Sequence, residues 1–539
     1  MVTKPGPAAR IWNLLREERS DITPIYVYAT LNGLIQLSLP VGIQSIIGFV
    51  LAGTLSASLV LLISLIVTGV LLVGALQIGQ MRAIEKIQQR LFVRYAHAFA
   101  TRIPRLDLQK ADGVYLPELV NRFFETVSLQ KGFSKLLLDL PTALIQILFG
   151  LILLSFYHPS FILFGIVLVL LLWAILWATG ESGLHSSLEE SRHKYAVASW
   201  FEELARVVKP FKFASGGLHL RKADEHTVRY LGSRTRHFRV LLAQYRTLVV
   251  FKVGITAAML IVGVVLLLRQ QINIGQFVAA EIIILTVINA IEKIIINLDS
   301  VYDILTAVEK ISKLTDKPVE ASGTYMPDPG QGFRVEASGL RFGYEGRQVL
   351  NGLSFRVEAG EKACLLGPEG AGRSTLLKLL AGLYPRYNGA LTINGVPLGN
   401  YDLPALRQHL GIFLQHEQVF HGTLWENLTM GREVDRAYLQ QLIAETGLQS
   451  FVQSLPEGYD TELDPTGRRL AGHVVQKILL VRALAHRPRL LLLEEPWRGI
   501  EEPYKSRIRS LLLGLEGTTV VLSTADPEFT ARAQRVIQL

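Results

Sequence analysis

Residues 367–375 read Gly-Pro-Glu-Gly-Ala-Gly-Arg-Ser-Thr, and that order of small, basic and hydroxyl residues can cradle a polyphosphate. Glycines let backbone N–H groups approach phosphate oxygens, a cation meets the terminal phosphates, and a hydroxyl ligates magnesium. The pattern that does this is GxxxxGK(S/T), with Gly367, Gly370 and Gly372 in the loop and Ser374 and Thr375 at its end, but its lysine is Arg373 here. A guanidinium still binds phosphate, yet its planar fork differs from the point charge of an ammonium. Apolar residues 363–366 before the loop and the helix-forming run 376–380 after it supply the strand, loop and helix that such chemistry needs.

The chain that positions this loop has 539 residues, half of them hydrophobic and only 19% charged. It exceeds one ordinary domain and is too apolar for a wholly soluble protein. Six apolar stretches, about 26–52, 55–80, 138–156, 161–179, 248–268 and 274–298, are each long enough to cross a hydrocarbon layer of roughly 30 Å. Short links at 53–54, 157–160 and 269–273 pair them. The intervening segments 82–135 and 192–246 are long and basic, which keeps them and both termini on the cytoplasmic side.

The same distribution accounts for the formal charge of +9 without nucleic acid as a partner. Helical periodicity at Ile84, Ile87, Leu91 and Tyr95 extends the spans beyond the membrane, with turns expected at 117–125 and 195–203. Glu281, Glu292 and Lys293 interrupt the sixth span, Glu281 being the best candidate for a transport pathway, while Lys252 is expected to snorkel to the interface. Cys364, the sole cysteine, rules out an internal disulfide and reads as a buried core thiol. No cleavable secretory signal is recognisable. The Pro- and Gly-rich segment 316–332 reads as a linker.

From Val335 onward the order of motifs resembles the nucleotide-binding domain of ABC transporters, and the six spans before it resemble their exporter class. The fold class that this implies is multi-domain. A cytoplasmic amphipathic segment (1–24) leads into an α-helical six-span transmembrane domain (25–315), and the linker (316–332) joins that to an α/β P-loop nucleotide-binding domain (333–539). The resemblance makes Tyr344 the residue that stacks on adenine. It makes Gln415, at the end of 410–415, a sensor of magnesium or attacking water, and it matches 489–496 to the strand that carries two carboxylates. Glu494 then stands where the family has a magnesium-orienting aspartate, and Glu495 is the candidate general base. ATP and Mg²⁺ are the implied cofactors, with Ser374, Gln415 and Glu494 around the metal.

Several positions depart from that pattern. Leu470, Ala471 and Gly472 correspond to the start of the signature LSGGQ, which caps the nucleotide from the opposite subunit, but Ala471 lacks the serine hydroxyl and His473 replaces a glycine. Ala525 stands at the switch histidine, and Arg498-Gly-Ile-Glu501 stands where SALD is usual. The extra methylene of Glu494 is expected to displace its oxygens by more than about one ångström and to disturb octahedral magnesium geometry. Phosphoryl transfer relies on positioning and electrostatics, so these losses together predict impaired hydrolysis.

The resemblance thus implies an exporter-type half-transporter that pairs with a second half, as homodimer or heterodimer, in a bacterial inner, cytoplasmic membrane. Its nucleotide domain would be cytoplasmic, and it would move an unidentified substrate outward among membrane lipid. Whether it is an enzyme, an ATP-coupled translocase, stays open. The alternatives are the noncatalytic half of a heterodimeric exporter or a nonhydrolysing membrane scaffold or regulator. With about twenty-five residues ahead of the first span, no leader-processing peptidase is expected.

Overall fold

The computed structural model describes residues 5–53, 57–111, 113, 115–328, 330, 332–344, 346–415, 417–464 and 470–539. The chain divides into two compact units, one of residues 1–104 and 115–317, the other of 105–114 and 318–539.

The first unit is helical. α1 (Pro7–Glu17) lies ahead of α2 (Arg19–Leu51) and α3 (Ala57–Arg102). After short helical pieces come α4 (Glu125–Ser155), α5 (Ser160–Arg206), α6 (Leu218–Leu268), α7 (Ile274–Ile296) and α8 (Leu298–Thr315). Among the described residues, six helical stretches are long and apolar enough to cross a membrane, and they contain the six apolar runs seen in the sequence. The chain is an integral membrane protein. The start of the second run, at Leu55, lies outside the described residues, as does Thr54 of the first link. Ile84, Ile87 and Leu91 are all buried, as their spacing on one face of α3 requires.

Two turn assignments need correction. Residues 195–203 form no turn, because α5 runs unbroken to Arg206. Nothing in Tyr-Ala-Val-Ala-Ser-Trp-Phe-Glu-Glu stops a helix; the chain breaks at 207–217, where Pro210 and the left-handed Gly217 (φ 61°) supply the punctuation. The other turn begins earlier than 117, with a 3₁₀ turn Ile103–Arg105, and closes through the short helix Leu116–Val120 and the 3₁₀ turn Asn121–Phe124. The sixth run also ends before 298, as Asn297 separates α7 from α8.

Some polar groups of this unit pair across its helices. Lys252 does not simply snorkel: its Nζ lies 2.9 Å from Glu292 Oε2, linking α6 to α7. Ser186 Oγ is 2.8 Å from His237 Nδ1, and His237 Nε2 is 3.2 Å from Asp299 Oδ1. That trio has the residue types of a hydrolytic triad, but His237 is only 1% exposed, so it pins three helices and offers no access to a substrate.

The second unit is α/β. A four-stranded antiparallel sheet is built from β1 (Val335–Tyr344), β2 (Arg347–Val357), β4 (Asn388–Ile393) and β5 (Val396–Pro397), in the order β2-β1-β4-β5. A five-stranded parallel sheet contains β3 (Lys362–Leu366), β6 (Leu410–Phe413), β7 (Leu490–Glu494), β8 (Thr519–Ser523) and β9 (Arg535–Gln538), in the order β9-β3-β8-β7-β6. Every residue of β7 and β8 is buried, the condition under which a parallel strand reads as a continuous apolar run. The segment read as a linker is hydrogen-bonded to this unit: Gly323 N donates to Tyr401 O (2.8 Å) and Tyr325 N to Asn400 O (2.9 Å). A side chain on Gly323 would lie 2.0 Å from Asn400 O, which explains the glycine there.

Candidate nucleotide site

The parallel strands end together, and the loops that leave them form the site, as the rule for open α/β sheets requires. β3 leads into the loop 367–372, and α9 (Arg373–Leu380) departs from it. Gly372 caps that helix at φ 96°, and a Cβ there would lie 2.8 Å from both Val349 and Leu350, so glycine is required for conformation and space alike. The strand is held from behind by Lys362, whose buried ammonium donates to the carbonyls of Gly360 (2.7 Å), Leu515 (2.7 Å) and Thr518 (2.9 Å). Burial pushes the pKa of Lys362 down. Cys364, 0% exposed, is the core thiol expected, its pKa raised by burial.

The loop opens onto a cavity of about 1310 Å³ lined by Tyr344, Gly370, Gly372, Arg373, Ser374, Thr375, Gln415, Glu494 and Glu495. These residues come from the ends of β1, β3, β6 and β7. Gly367 begins the loop just behind the cavity, in a space where a Cβ would meet Ala371 and Leu539.

Glu494 is positioned better than its length suggested. Ser374 Oγ donates to Glu494 Oε1, and the backbone N–H of Gln415 donates to Glu494 Oε2 at 3.1 Å. These two contacts set the Glu494 carboxylate between the phosphate loop and the end of β6. Ser374 spends its proton on that contact and keeps its oxygen lone pairs, the state a hydroxyl needs in order to ligate a hard cation.

Glu495 sits at φ 46°, a left-handed conformation that costs a residue with a side chain roughly 1–3 kcal/mol and clusters at functional sites. Its carboxylate has two neighbours. Thr524 Oγ1 donates to Oε2 at 3.2 Å, and Arg373 Nη1 stands 3.9 Å from Oε1. The guanidinium that replaces the lysine is thus drawn toward the candidate base.

The ring of Tyr344 packs edge-on against Phe342 (5.0 Å) and Tyr384 (5.6 Å), and its hydroxyl lies 3.3 Å from Thr375 Oγ1. Leu470, Ala471 and Gly472 are not brought to this cavity. They stand at the start of α10 (Gly472–Leu484), where Leu470 and Gly472 line a smaller space of about 230 Å³ whose wall Gln415 shares. Ala525 is exposed, and the neighbouring Asp526 instead caps a helix by accepting from Phe529 N at 2.9 Å. Arg347, Glu369 and Arg498 also line the cavity; the sequence places Glu369 in the phosphate loop and Arg498 where SALD is usual, but gives none of the three a contact with the ligand. Their only signal was position: Arg347 follows the tyrosine by three residues, and Arg498 follows the second carboxylate by three.

The sequence pattern of the family described as ABC transporter matches residues 350–498, the stretch that carries the phosphate loop and both carboxylates. Over nearly its whole length the fold matches a bacterial Atm1-family ABC exporter with ATP bound, with a TM-score of 0.85, 19% identity, and coverage of 97% of this chain and 93% of that one. The chain carries an ABC transporter nucleotide-binding domain and has the fold of an ABC exporter. An ATP-dependent lipid A-core flippase of Burkholderia orbicola is 30% identical over 286 residues, 52% of this chain and 48% of that protein. Antigen peptide transporter 1 of Rattus norvegicus is 30% identical over 298 residues, 53% of this chain and 40% of that protein. The matched region thus spans about half or less of the length of these relatives. ABC ATPases use ATP and Mg²⁺, and the donors at the cavity fit both.

Proposed function

We propose that the chain is an exporter-type transport subunit that binds ATP between paired nucleotide domains and hydrolyses it slowly. The observation that carries this reading is the divided state of the cavity. Ser374, Glu494 and the Gln415 backbone keep the arrangement of a metal and phosphate site, whereas Arg373 is turned toward Glu495.

Magnesium, when bound, would be held by Ser374, Gln415 and Glu494 and would neutralise phosphate charge. The chain's own groups then bind and orient. The loop N–H groups and Arg373 grip phosphate oxygens, Tyr344 offers its ring to the base, and Thr524 holds Glu495 in place. A general base needs an unshared carboxylate directed at water, whereas Glu495 has the Arg373 guanidinium 3.9 Å from its Oε1. Ala471 and Ala525 supply no side-chain donor to the terminal phosphate.

The pairing partner, a second half-transporter, follows from ABC exporters working as dimers. The cytoplasmic position of the nucleotide unit and the residence in a bacterial inner membrane belong to the same proposal. The names of the relatives point to different cargoes, lipid A-core in one and antigen peptides in the other, so neither cargo is carried over.

The test is phosphate release by the purified full chain, alone and with Glu495→Gln, beside binding of a fluorescent ATP analogue. Binding with turnover far below that of a competent exporter is the expected result. Ordinary exporter turnover that disappears in Glu495→Gln would overturn slow hydrolysis, and failure to bind any adenine nucleotide would overturn the reading as a whole.

A further inference from the structure

Away from the nucleotide site, a cavity of about 840 Å³ lies in the helical unit where the end of α2 meets the link between α6 and α7. Amides and aliphatic side chains share its walls. Gln44, Gln270, Gln271, Asn273 and Gln276 line it, and no lining residue is charged. Arg269, adjacent in sequence, is not part of the lining. The site is built rather than loose. A Cβ on Gly275 would lie 3.1 Å from Gln44 O, so the start of α7 touches α2 directly. Ile272 anchors the link at 4% exposure, and Gln271 N donates to Leu266 O at 2.9 Å.

The amides are also oriented. Asn273 Oδ1 accepts from Gln276 N (2.7 Å), and Gln276 Oε1 accepts from Asn273 N (2.9 Å), a reciprocal cap at the start of α7. Gln44 Oε1 accepts from the Tyr157 hydroxyl at 2.7 Å. With three carbonyl ends engaged, the matching NH₂ groups remain as donors for a ligand's oxygens. At Ser45 this polar cavity meets an apolar one of about 460 Å³, whose walls include Leu37, Leu62, Leu65, Phe149 and Phe156.

We infer that these joined cavities hold an amphiphile with an uncharged, oxygen-rich headgroup, such as a glycosylated diacylglycerol, with its chain in the apolar part and its sugar among the amides. A phosphate or carboxylate headgroup is held best by a paired cation, and the described lining residues provide none. A hydroxylated ring needs several neutral hydrogen-bonding partners at a concave surface that also offers apolar contact, which this pair of cavities combines. The inference deepens the transport reading by naming a class of ligand, and it rests on that reading only for how the ligand is used.

The full chain, reconstituted in phosphatidylcholine nanodiscs that contain equal fractions of diglucosyl diacylglycerol and phosphatidylglycerol, can be released for native mass spectrometry. The glucolipid should be retained over phosphatidylglycerol. Gln44→Leu with Gln271→Leu should reduce that retention about tenfold, the effect of removing two neutral hydrogen-bonding groups. Neither substitution touches the Asn273–Gln276 cap, and Gln271→Leu alone, at an exposed position, serves if the double variant fails to fold. Preferential retention of phosphatidylglycerol, equal retention of both lipids, or unchanged glucolipid retention in a folded variant would each overturn the inference. Nucleotide binding is measured separately, so a chain that keeps the glucolipid but ignores ATP refutes the transport reading and leaves the ligand class standing.

Discussion

At the scale of single residues, the two unusual side chains of the nucleotide site, Glu494 and Arg373, stand in different settings. Glu494 shows how a substitution is accommodated, because its carboxylate still meets Ser374 and Gln415 N. Arg373 lies within 3.9 Å of Glu495 Oε1, so a carboxylate of the same chain shares its charge. Lysine, a compact ammonium, would be free to serve the phosphates. Removing one preorganised donor typically costs roughly 100- to 1000-fold in turnover, and losses within one catalytic unit are not additive. Arg373→Lys alone should therefore raise phosphate release by less than about tenfold, whereas Arg373→Lys with Ala471→Ser and Ala525→His should raise it by roughly 100-fold or more. Steady-state phosphate assays on the two proteins check this. Lys362 allows a second test, of stability. Replacing it with Met leaves the carbonyls of Gly360, Leu515 and Thr518 without their shared donor, and should cost at least about 2 kcal/mol, read as a fall in the unfolding midpoint of the nucleotide unit.

At the scale of elements, apolar runs and motifs were legible in sequence while the ends and contacts of helices were not. Uncharged stretches near twenty residues declare a span without any tertiary information, and the all-buried strands β7 and β8 show as the apolar runs 490–493 and 520–522. The end of α5 was hidden, because residues 195–203 carry no breaker and the helix stops at Arg206, four residues ahead of Pro210. Lys252 looked like an interfacial lysine because its partner Glu292 lies forty residues away. Tyr344, Ser374 and Gln415 were legible because each belongs to a spaced motif. Arg347 and Arg498 were not, since only folding brings them to the cavity.

α8 carries a prediction that the sequence could not have suggested. Lys310 is 2% exposed, and burial, aided by Lys313 and Arg122 and opposed by Glu125, pushes its pKa down to about 7. Tyr195 presents its ring 5.3 Å from the ammonium, and Lys194 lies near the same ring. An unfolded lysine titrates near 10.4, so between about pH 7 and that value the unfolded chain holds a proton that the folded chain has released. Stability therefore rises with pH across this window. Lys310→Met should melt higher than the parent at pH 6.5, and the difference should shrink by pH 9, measured by thermal unfolding of the detergent-solubilised protein.

At the scale of the molecule, ten residues between α3 and the following helices belong to the fold of the nucleotide unit rather than to the helical one. Leu106 forms a bridge with Val319, and Asp107 N donates to Pro318 O at 3.1 Å. Arg386 binds this segment three times, by an ion pair to Asp107 Oδ2 (2.7 Å) and by reciprocal backbone bonds with the Gln109 side chain (3.0 Å each). Asp107 is buried, at 5% exposure, so removing Arg386 leaves its carboxylate with only the longer ion pair to Lys110 Nζ, at 3.6 Å, in a poorly hydrated place, a loss larger than that of a surface pair. The segment continues covalently into the membrane helices, so its grip on the nucleotide unit links the unfolding of one unit to that of the other. The parent chain should unfold in one calorimetric transition that ATP moves upward as a whole, because a ligand of the folded state stabilises everything cooperative with its site. Arg386→Ala with Gln109→Ala should bind the same fluorescent nucleotide with little change, since neither residue lines the cavity. Its heat-capacity trace should split in two, with ATP moving only the transition that belongs to the nucleotide unit. A variant that still melts as one, with ATP raising the entire transition, would mean that these ten residues do not transmit stability between the units.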